Sequence, residues 1–380
     1  MKRILFLIHD LSVGGAEKVL VNLVNNMDYT KFDVTVIALF GGGTNEKFLN
    51  RNVRFKYIFK KVFPANSKIM KIFSPSLLHK LFVKERYDCE ISYLEGPSAR
   101  IISGCRDKSV KLITWIHTVQ QTKKKAAVSF RNYSESEKCY SKFDKVICVS
   151  ENIKADFISL YPKTKGIEVL YNTNETEKIL ELKDEPVSSD VFKENTIKLC
   201  GVGRVISLKG FDKLAKIHKR LRDDGYPVYT YILGIGPETD KIKEFCTQNG
   251  IANSFVFLGY DTNPYKYVYK CDMFICSSAV EGFSTAATEA LIVGTPVVTT
   301  LVSGMKEMLG ENNEYGVIVE NNEDALYSGI KNLLDNPDLL SHYKQKAKER
   351  GKFFSTENTV RAVENMLIEI LNKGDTNEIN

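Results

Sequence analysis

Two acidic residues, Glu281 and Glu289, bracket the segment Glu281-Gly282-Phe283-Ser284-Thr285-Ala286-Ala287-Thr288-Glu289. The segment follows an apolar run, Met273–Cys276, and opens a stretch of helix-forming residues. The first N–H groups of a helix lack intrahelical acceptors and sit at the positive end of its dipole, so such a start suits a diphosphate. Gly282 permits a backbone geometry and a close approach that a side chain obstructs. About two helical turns separate the glutamates, a spacing that would let them share one face, where Glu289 can accept both hydroxyls of a ribose. Two glutamates alone also fit a capped helix whose acids face water.

A pair of cations stands in Gly203-Arg204-Val205-Ile206-Ser207-Leu208-Lys209-Gly210, directly after an apolar run ending at Val202. Ligands of open α/β sheets bind at the carboxyl ends of strands. Fixed cations there can neutralise a diphosphate leaving group whose charge grows as a bond breaks. By itself the same loop fits two solvated surface cations. His117 ends another apolar run and precedes Thr118 and Lys123-Lys124-Lys125, a position open to proton transfer or to a structural hydrogen bond. Gly201-x-Gly203 and Gly234-x-Gly236 do not complete a dinucleotide fingerprint, and the absence of GxxxxGK[ST] excludes a P-loop.

The elements that must carry these residues alternate. Ile4–Ile8 is a continuous apolar run suited to a parallel strand covered on both faces. Gly14-Gly15 follows, then Val19, Leu20, Leu23, Val24 and Met27 at helical spacing. Further strands are expected at Val34–Phe40, Cys89–Tyr93, Lys111–His117, Lys145–Val149, Ile197–Val202, Val228–Leu233, Phe255–Leu258, Met273–Cys276 and Pro296–Thr299, with helices between them. Alternation of this kind predicts doubly wound parallel sheets. Residues 173–195 are polar, contain Pro186 and lack periodicity, which reads as a linker. The expected division is a first domain over 1–185, a second over 186–355, and over 356–380 a last helix with a polar tail.

With 380 residues, 43% hydrophobic and 26% charged, the chain is an ordinary globular protein of two domains. Eight cysteines show no CxxC pair and no clustering with histidine along the sequence, which argues for a reducing compartment and against zinc or disulfides. The apolar run after Met1-Lys2-Arg3 is too short for a signal core, and no stretch is long enough to span a membrane, so a cytoplasmic location is expected. Residues 1–185 hold 31 Lys+Arg against 21 Asp+Glu, and the remainder 22 against 26. Much of the basic excess lies in residues 51–86, with ten Lys+Arg and one acid, Glu85, interleaved with Phe55, Tyr57, Ile58, Phe59, Phe63, Met70, Ile72, Phe73, Leu77, Leu78, Leu81 and Phe82. The mixture fits attachment to an anionic bilayer, or a helix pair with its apolar face in the core. Nucleic acid is not an expected partner, since no binding motif is present and the second half is acidic.

Together these segments resemble the family-4 glycosyltransferases, retaining enzymes of the GT-B fold with two Rossmann-like domains facing an interdomain cleft. The resemblance rests on Gly14-Gly15-Ala16-Glu17, Gly203-Arg204-x4-Lys209-Gly210, Gly234-x-Gly236-Pro237, Phe257-Leu258-Gly259-Tyr260, Glu281-x7-Glu289 and Gly294-Thr295-Pro296-Val297-Val298. It implies a nucleotide diphosphate-sugar donor, a UDP-sugar above all. Gly14, Gly15, Gly203 and Gly234 would admit donor backbone contacts. Arg204 and Lys209 would hold the diphosphate. Glu281 would sit near the transferred sugar, with the backbone of Phe283, Ser284 and Thr285 nearby. Glu289 would bind ribose, Tyr260 would border the base, and His117 would lie near the reacting centre. The last helix would brace the first domain. Ser284 stands where the family has glycine, and Ser303-Gly304 replaces a glycine pair; both are expected to tune the sugar.

No metal or other cofactor is expected, because cations and helix N–H groups already supply positive charge and no Asp-x-Asp motif occurs. The resemblance and the basic stretch point to a glycan or polyprenyl-diphosphate-linked acceptor, surface-polysaccharide synthesis, and a peripheral place on the inner face of the cell membrane. A non-catalytic partner subunit of the same fold, an epimerase or phosphorylase of similar architecture, and transfer to a soluble small molecule or protein are the competing expectations.

Overall fold

A computed structural model of the protein describes residues 1–12 and 14–372. It comprises two compact units, one of residues 1–174 with the helix Thr356–Asn372, the other of residues 175–355. The polar tail from Lys373 lies outside the described residues.

The first unit holds a parallel sheet of seven strands: β1 (Lys2–Ile8), β2 (Phe32–Phe40), β3 (Arg54–Phe59), β4 (Cys89–Ser92), β5 (Lys111–Ile116), β6 (Lys145–Cys148) and β7 (Ile167–Val169), in the order β3-β2-β1-β4-β5-β6-β7. Ile4–Ile8 is wholly buried, as a central strand covered on both faces requires. The helix Gly15–Asn25 lies after β1 and buries Val19, Leu20, Leu23 and Val24. The last helix belongs to this unit: Glu364 accepts the Asp28 N–H at 2.6 Å, and the Thr356 hydroxyl donates to the Asn174 carbonyl at 2.8 Å.

The second unit repeats the plan with six parallel strands, β8 (Ile197–Val202), β9 (Val228–Leu233), β10 (Phe255–Gly259), β11 (Met273–Cys276), β12 (Val297–Thr300) and β13 (Val317–Val319), in the order β10-β9-β8-β11-β12-β13. In both sheets the order reverses beside the first strand, between β1 and β4 and between β8 and β11. At such a reversal the connections leave in opposite directions and open a crevice at the carboxyl ends of the strands.

Three local outcomes differ from expectation. The basic stretch 51–86 begins with an edge strand, β3, before the helices Asn66–Ile72 and Pro75–Phe82. Its Arg54 and Lys56 are charges on an exposed edge, the usual device against strand-to-strand association. The presumed linker contains a helix, Thr176–Leu182, whose Ile179 is buried; its few apolar contacts are too short a pattern to register as periodicity. The short strands β7 and β13 were missed for the same reason.

His218 fixes the helix that carries the Gly203–Gly210 loop into the second sheet. It is fully buried on the helix Phe211–Asp223, between the hydroxyls of Thr230 and Ser254, each at 2.8 Å. Ser254 gives its proton to the Ile251 carbonyl. It therefore accepts from Nε2–H, and Nδ1 accepts from Thr230. Burial, aided by Arg222, holds this imidazole down at about 3. The unfolded chain binds a proton here below its ordinary 6.5 while the folded chain resists it, so this stability is present above 6.5 and is lost as pH falls toward about 3. His218→Ala should cost at least ~2 kcal/mol at neutral pH by opening a cavity and stranding the buried Thr230 hydroxyl. Denaturant melts of variant and parent should converge as the pH is lowered; a pH-independent gap would contradict this assignment.

Candidate functional site

The reversal between β8 and β11 brings together the loops that follow those strands. Lys209 Nζ donates to Glu281 Oε1 at 2.6 Å, and the Ser278 hydroxyl donates to the same oxygen at 2.6 Å. The glutamate side chain is only 10% exposed and that of the lysine 27%. A carboxylate so buried requires such partners. Backbone contacts fix the register of the two loops. Ser277 Oγ donates to the Lys209 carbonyl at 2.9 Å, and Ala279 N–H donates to the Leu208 carbonyl at 2.8 Å.

Glycine is what allows these loops to touch. Gly210 has φ +65°, and a Cβ there would lie 2.2 Å from the Ser277 carbonyl oxygen. Gly234 has φ +143°, and its Cβ would fall 1.9 Å from the Gly203 carbonyl oxygen. Any side chain at either position pushes β8, β9 and β11 apart at the ends where the charges meet. The Lys209 stem runs beside Gly203.

Arg204 is exposed and, among the described residues, has no side-chain partner. It is the free cation of the loop. Glu281 lies before the helix, which runs Thr285–Val293, so the two glutamates do not share a helical face as the spacing suggested. Glu289 is buried in the second turn and accepts from the Tyr265 hydroxyl at 3.3 Å. Phe283 is buried against Phe354 with ring centroids 5.7 Å apart. Ser284 caps the helix by accepting the Ala287 N–H at 3.4 Å, and Thr285 is its first residue. Tyr260, after β10, is about half exposed.

In the first unit, Gly14 and Gly15 lead from β1 into the Gly15–Asn25 helix, and the Glu17 carboxylate lies over Gly14. His117 follows β5 and is buried, its ring 5.0 Å from that of Tyr93. Its Nε2 is buried with no hydrogen-bond partner among the described residues. Burial pushes the imidazole down to about 4, against a hydrogen bond to the Tyr93 backbone that favours the charged form. A neutral ring with one open nitrogen can hydrogen-bond a substrate hydroxyl without bringing charge.

Sequence reasoning missed two carboxylates that set this loop. Glu95, after β4, accepts the His117 N–H at 3.0 Å, the Thr118 hydroxyl and the Gln120 side chain at 3.3 Å. Burial raises its pKa, and these bonds oppose the rise. Asp156 accepts the Gln120 N–H at 2.7 Å and the Gln121 N–H at 3.1 Å, holding Gln121 at φ +63°. A lone Glu after a strand carries no sequence signal; only the fold sets it beside His117.

Comparison with known proteins places both units. The family model "Glycosyl transferases group 1" matches residues 183–350, and "Glycosyltransferase Family 4" matches residues 13–178. A similar protein of Campylobacter jejuni, N-acetylgalactosamine-N,N'-diacetylbacillosaminyl-diphospho-undecaprenol 4-alpha-N-acetylgalactosaminyltransferase, is 28% identical over 93% of this chain and 96% of its own. A lipopolysaccharide core biosynthesis glycosyltransferase of Rhizobium meliloti is 20% identical over 97% of both chains. Among solved structures, an Anabaena protein in complex with UDP and glucose superposes with a TM-score of 0.76 at 17% identity, over 97% of this chain and all of the other. Sucrose-phosphate synthase from Thermosynechococcus elongatus gives 0.79 at 15% identity, over 98% of this chain and all of the other.

The His117 environment has a direct spectroscopic consequence. Its imidazole resonances should stay those of the neutral ring through the neutral range and titrate near about 4. A midpoint at the ordinary 6.5 would show that the ring is hydrated rather than buried.

Proposed function

The chain belongs to the glycosyltransferases of group 1 and family 4 and has their GT-B fold, and on that premise we propose what it transfers and to what. It moves a sugar from a UDP-sugar, with retention at the anomeric carbon, to a hydroxyl of a polyprenyl-diphosphate-linked glycan in cell-surface polysaccharide synthesis. The observation that carries this reading is the pairing of Lys209 with Glu281 beside a free Arg204 and a helix start, all at one strand reversal.

In this reading Arg204, Lys209 and the first N–H groups of the Thr285–Val293 helix take up the charge that grows on the departing diphosphate. Positive charge from the chain itself leaves no role there for a metal. Glu281 holds the Lys209 ammonium in place and presents its remaining acceptor capacity to sugar hydroxyls. Glu289 accepts the ribose hydroxyls, and the Gly259-Tyr260 loop borders the base. Gly203 and Gly234 keep the strand ends open to the donor. In the first unit, Gly14 and Gly15 leave backbone open to a phosphate, and His117 keeps an open Nε2 for a sugar hydroxyl. The acceptor oxygen attacks on the face the diphosphate leaves, passing its proton to that leaving group, so the protein's work is positioning and charge stabilisation. The UDP held by the Anabaena structure supports a uridine donor. The Campylobacter relative's name, an alpha linkage made on a diphospho-undecaprenol-bound sugar, supports retention and a lipid-linked acceptor.

A lipid-linked acceptor calls for a membrane-facing surface, and the segment 51–86 offers one. The core-facing helix pair considered from sequence would bury its apolar residues, yet only Met70 and Leu78 of the two helices are buried. Ile69, Ile72, Leu77 and Leu81 are exposed among Lys68, Lys71, Lys80 and Lys84, with Ile72 at 71%. Apolar side chains that enter a bilayer boundary, ringed by lysines worth about 1 kcal/mol each near anionic lipid, give reversible peripheral binding. No helix among the described residues is long and apolar enough to cross a membrane.

Two experiments test the reading. Lys209→Ala should lower turnover at least tenfold, about 1.4 kcal/mol of lost charge stabilisation, with UDP release from a panel of UDP-sugars as the assay; an unchanged rate in a folded variant removes Lys209 from its role. The protein should co-sediment at low salt with vesicles containing phosphatidylglycerol, and Ile72→Glu with Leu81→Glu should abolish this. Failure of the parent to sediment would sink the membrane assignment and shift the acceptor to soluble molecules.

A further inference from the structure

The fold joins three metal-ligating side chains that the sequence scatters. His79 lies in the last turn of the helix Pro75–Phe82, Glu90 in the middle of the first sheet on β4, and Cys105 in the turn after the helix Pro97–Ile102. One donor atom from each lies within 4.8 Å of the others. His79 Nε2 and Glu90 Oε2 are 2.7 Å apart, with side chains 15% and 3% exposed. Close packing at Gly104 sets the cysteine there: a Cβ on that residue would meet the Pro75 carbonyl oxygen at 2.1 Å, so only glycine lets the Cys105 turn press against the helix. Cysteine and histidine lie apart along the sequence, and the fold brings this pair together.

We propose that His79, Glu90 and Cys105 bind a zinc ion that ties the Pro75–Phe82 helix to the first sheet. The donor set decides the class of metal. A thiolate, an imidazole and a carboxylate suit zinc and its neighbours among the late divalent ions, whereas magnesium and calcium prefer all-oxygen shells. With metal–nitrogen and metal–oxygen bonds of about 2.0 Å and a metal–sulfur bond of about 2.3 Å, tetrahedral ligands stand roughly 3.3 to 3.8 Å apart. The 2.7 Å pair must open slightly and the thiol close in, both movements that side-chain rotation supplies. On binding, the Cys105 thiol gives its proton to solvent, and the His79 ring, paired with the Glu90 carboxylate in the metal-free site, gives up its extra proton as well and ligates as the neutral imidazole.

The fourth position faces a cavity of about 720 Å³ lined also by Ser76, Lys80 and Arg106. Water or a small anion can complete the shell there, as at zinc sites with three protein ligands. Glu90 and Cys105 lie toward the amino ends of β4 and β5, whereas Glu95 and His117 follow their carboxyl ends. The ion is thus a clamp and takes no part in sugar transfer. It braces the helix that exposes Leu77 and Leu81, so its loss loosens the surface proposed to meet lipid.

Cobalt substitution tests the site on the full chain, stripped with chelator. Titration with Co²⁺ should saturate at one equivalent, with a thiolate-to-cobalt band in the near ultraviolet that Zn²⁺ then displaces. Cys105→Ser should abolish the band, and His79→Ala should weaken binding at least tenfold. Cys246→Ser, a buried thiol of the second unit, should change nothing. Zinc should raise the melting temperature of the parent and not of Cys105→Ser. Absence of the band, an equal band in Cys105→Ser, or a Cys105 thiol alkylated equally fast with and without zinc would each overturn the proposal and leave a hydrogen-bonded thiol beside an ion pair.

Discussion

The contact between the Lys209 ammonium and the Glu281 carboxylate spans the strand reversal of the second sheet, and the loops at that reversal are arranged around it. Lys209 ends a single 3-10 turn, Ser207–Lys209, and Glu281 lies ahead of the Thr285–Val293 helix. Each belongs to a loop whose position is dictated by the parallel strand before it, and parallel strands end on one edge. Burial of the carboxylate makes the pair mutually obligatory, since removing one member leaves an uncompensated charge in a dry place. The Ser278 hydroxyl and the bonds between residues 208–209 and 277–279 then hold the two loops in register.

Close approach of backbones is the second constraint, and it follows from the first. Charges on loops can meet only if nothing stands between the loops. Gly210 against Ser277, and Gly234 against Gly203, remove the side chains that would. The same solution recurs in the first unit, where Gly104 lies against Pro75 and Gly43 against Leu11. Glycine thus marks contacts between segments distant in sequence at least as often as it marks turns.

That difference explains what was legible from sequence. The buried central strands were readable because both faces are covered, so their apolar runs are unbroken; Ile4–Ile8 and Met273–Cys276 are examples. The short strands β7 and β13 and the helix Thr176–Leu182 have too few apolar residues to show a period, and their partners exist only once the sheet is built. The places of Arg204, Lys209 and Glu281 after strand ends were readable from the apolar runs that precede them. Glu95 was not, because its importance lies in accepting from the backbone of His117 on a neighbouring strand's loop. The shared face expected for Glu281 and Glu289 failed because the helix starts four residues later than that argument required, at Thr285.

Ser284 shows how one substitution moves electrostatic weight within such a site. With glycine at this position, the Ala287 N–H would remain open at the helix start. The serine hydroxyl takes that donor at 3.4 Å, so the helix keeps a firmer cap and loses one N–H for an anion. What remains is the dipole, about half an elementary charge, and the N–H groups before Ala287. Lys209 is already shared with Glu281, which leaves Arg204 as the full positive charge of the loop without a side-chain partner among the described residues. A diphosphate, in the function proposed, carries more negative charge than a dipole end can balance, so the burden of holding it would shift toward the guanidinium. Its planar, bidentate donors match phosphate oxygens better than an ammonium does. The site is thereby tuned at the helix start without any change in its charged residues.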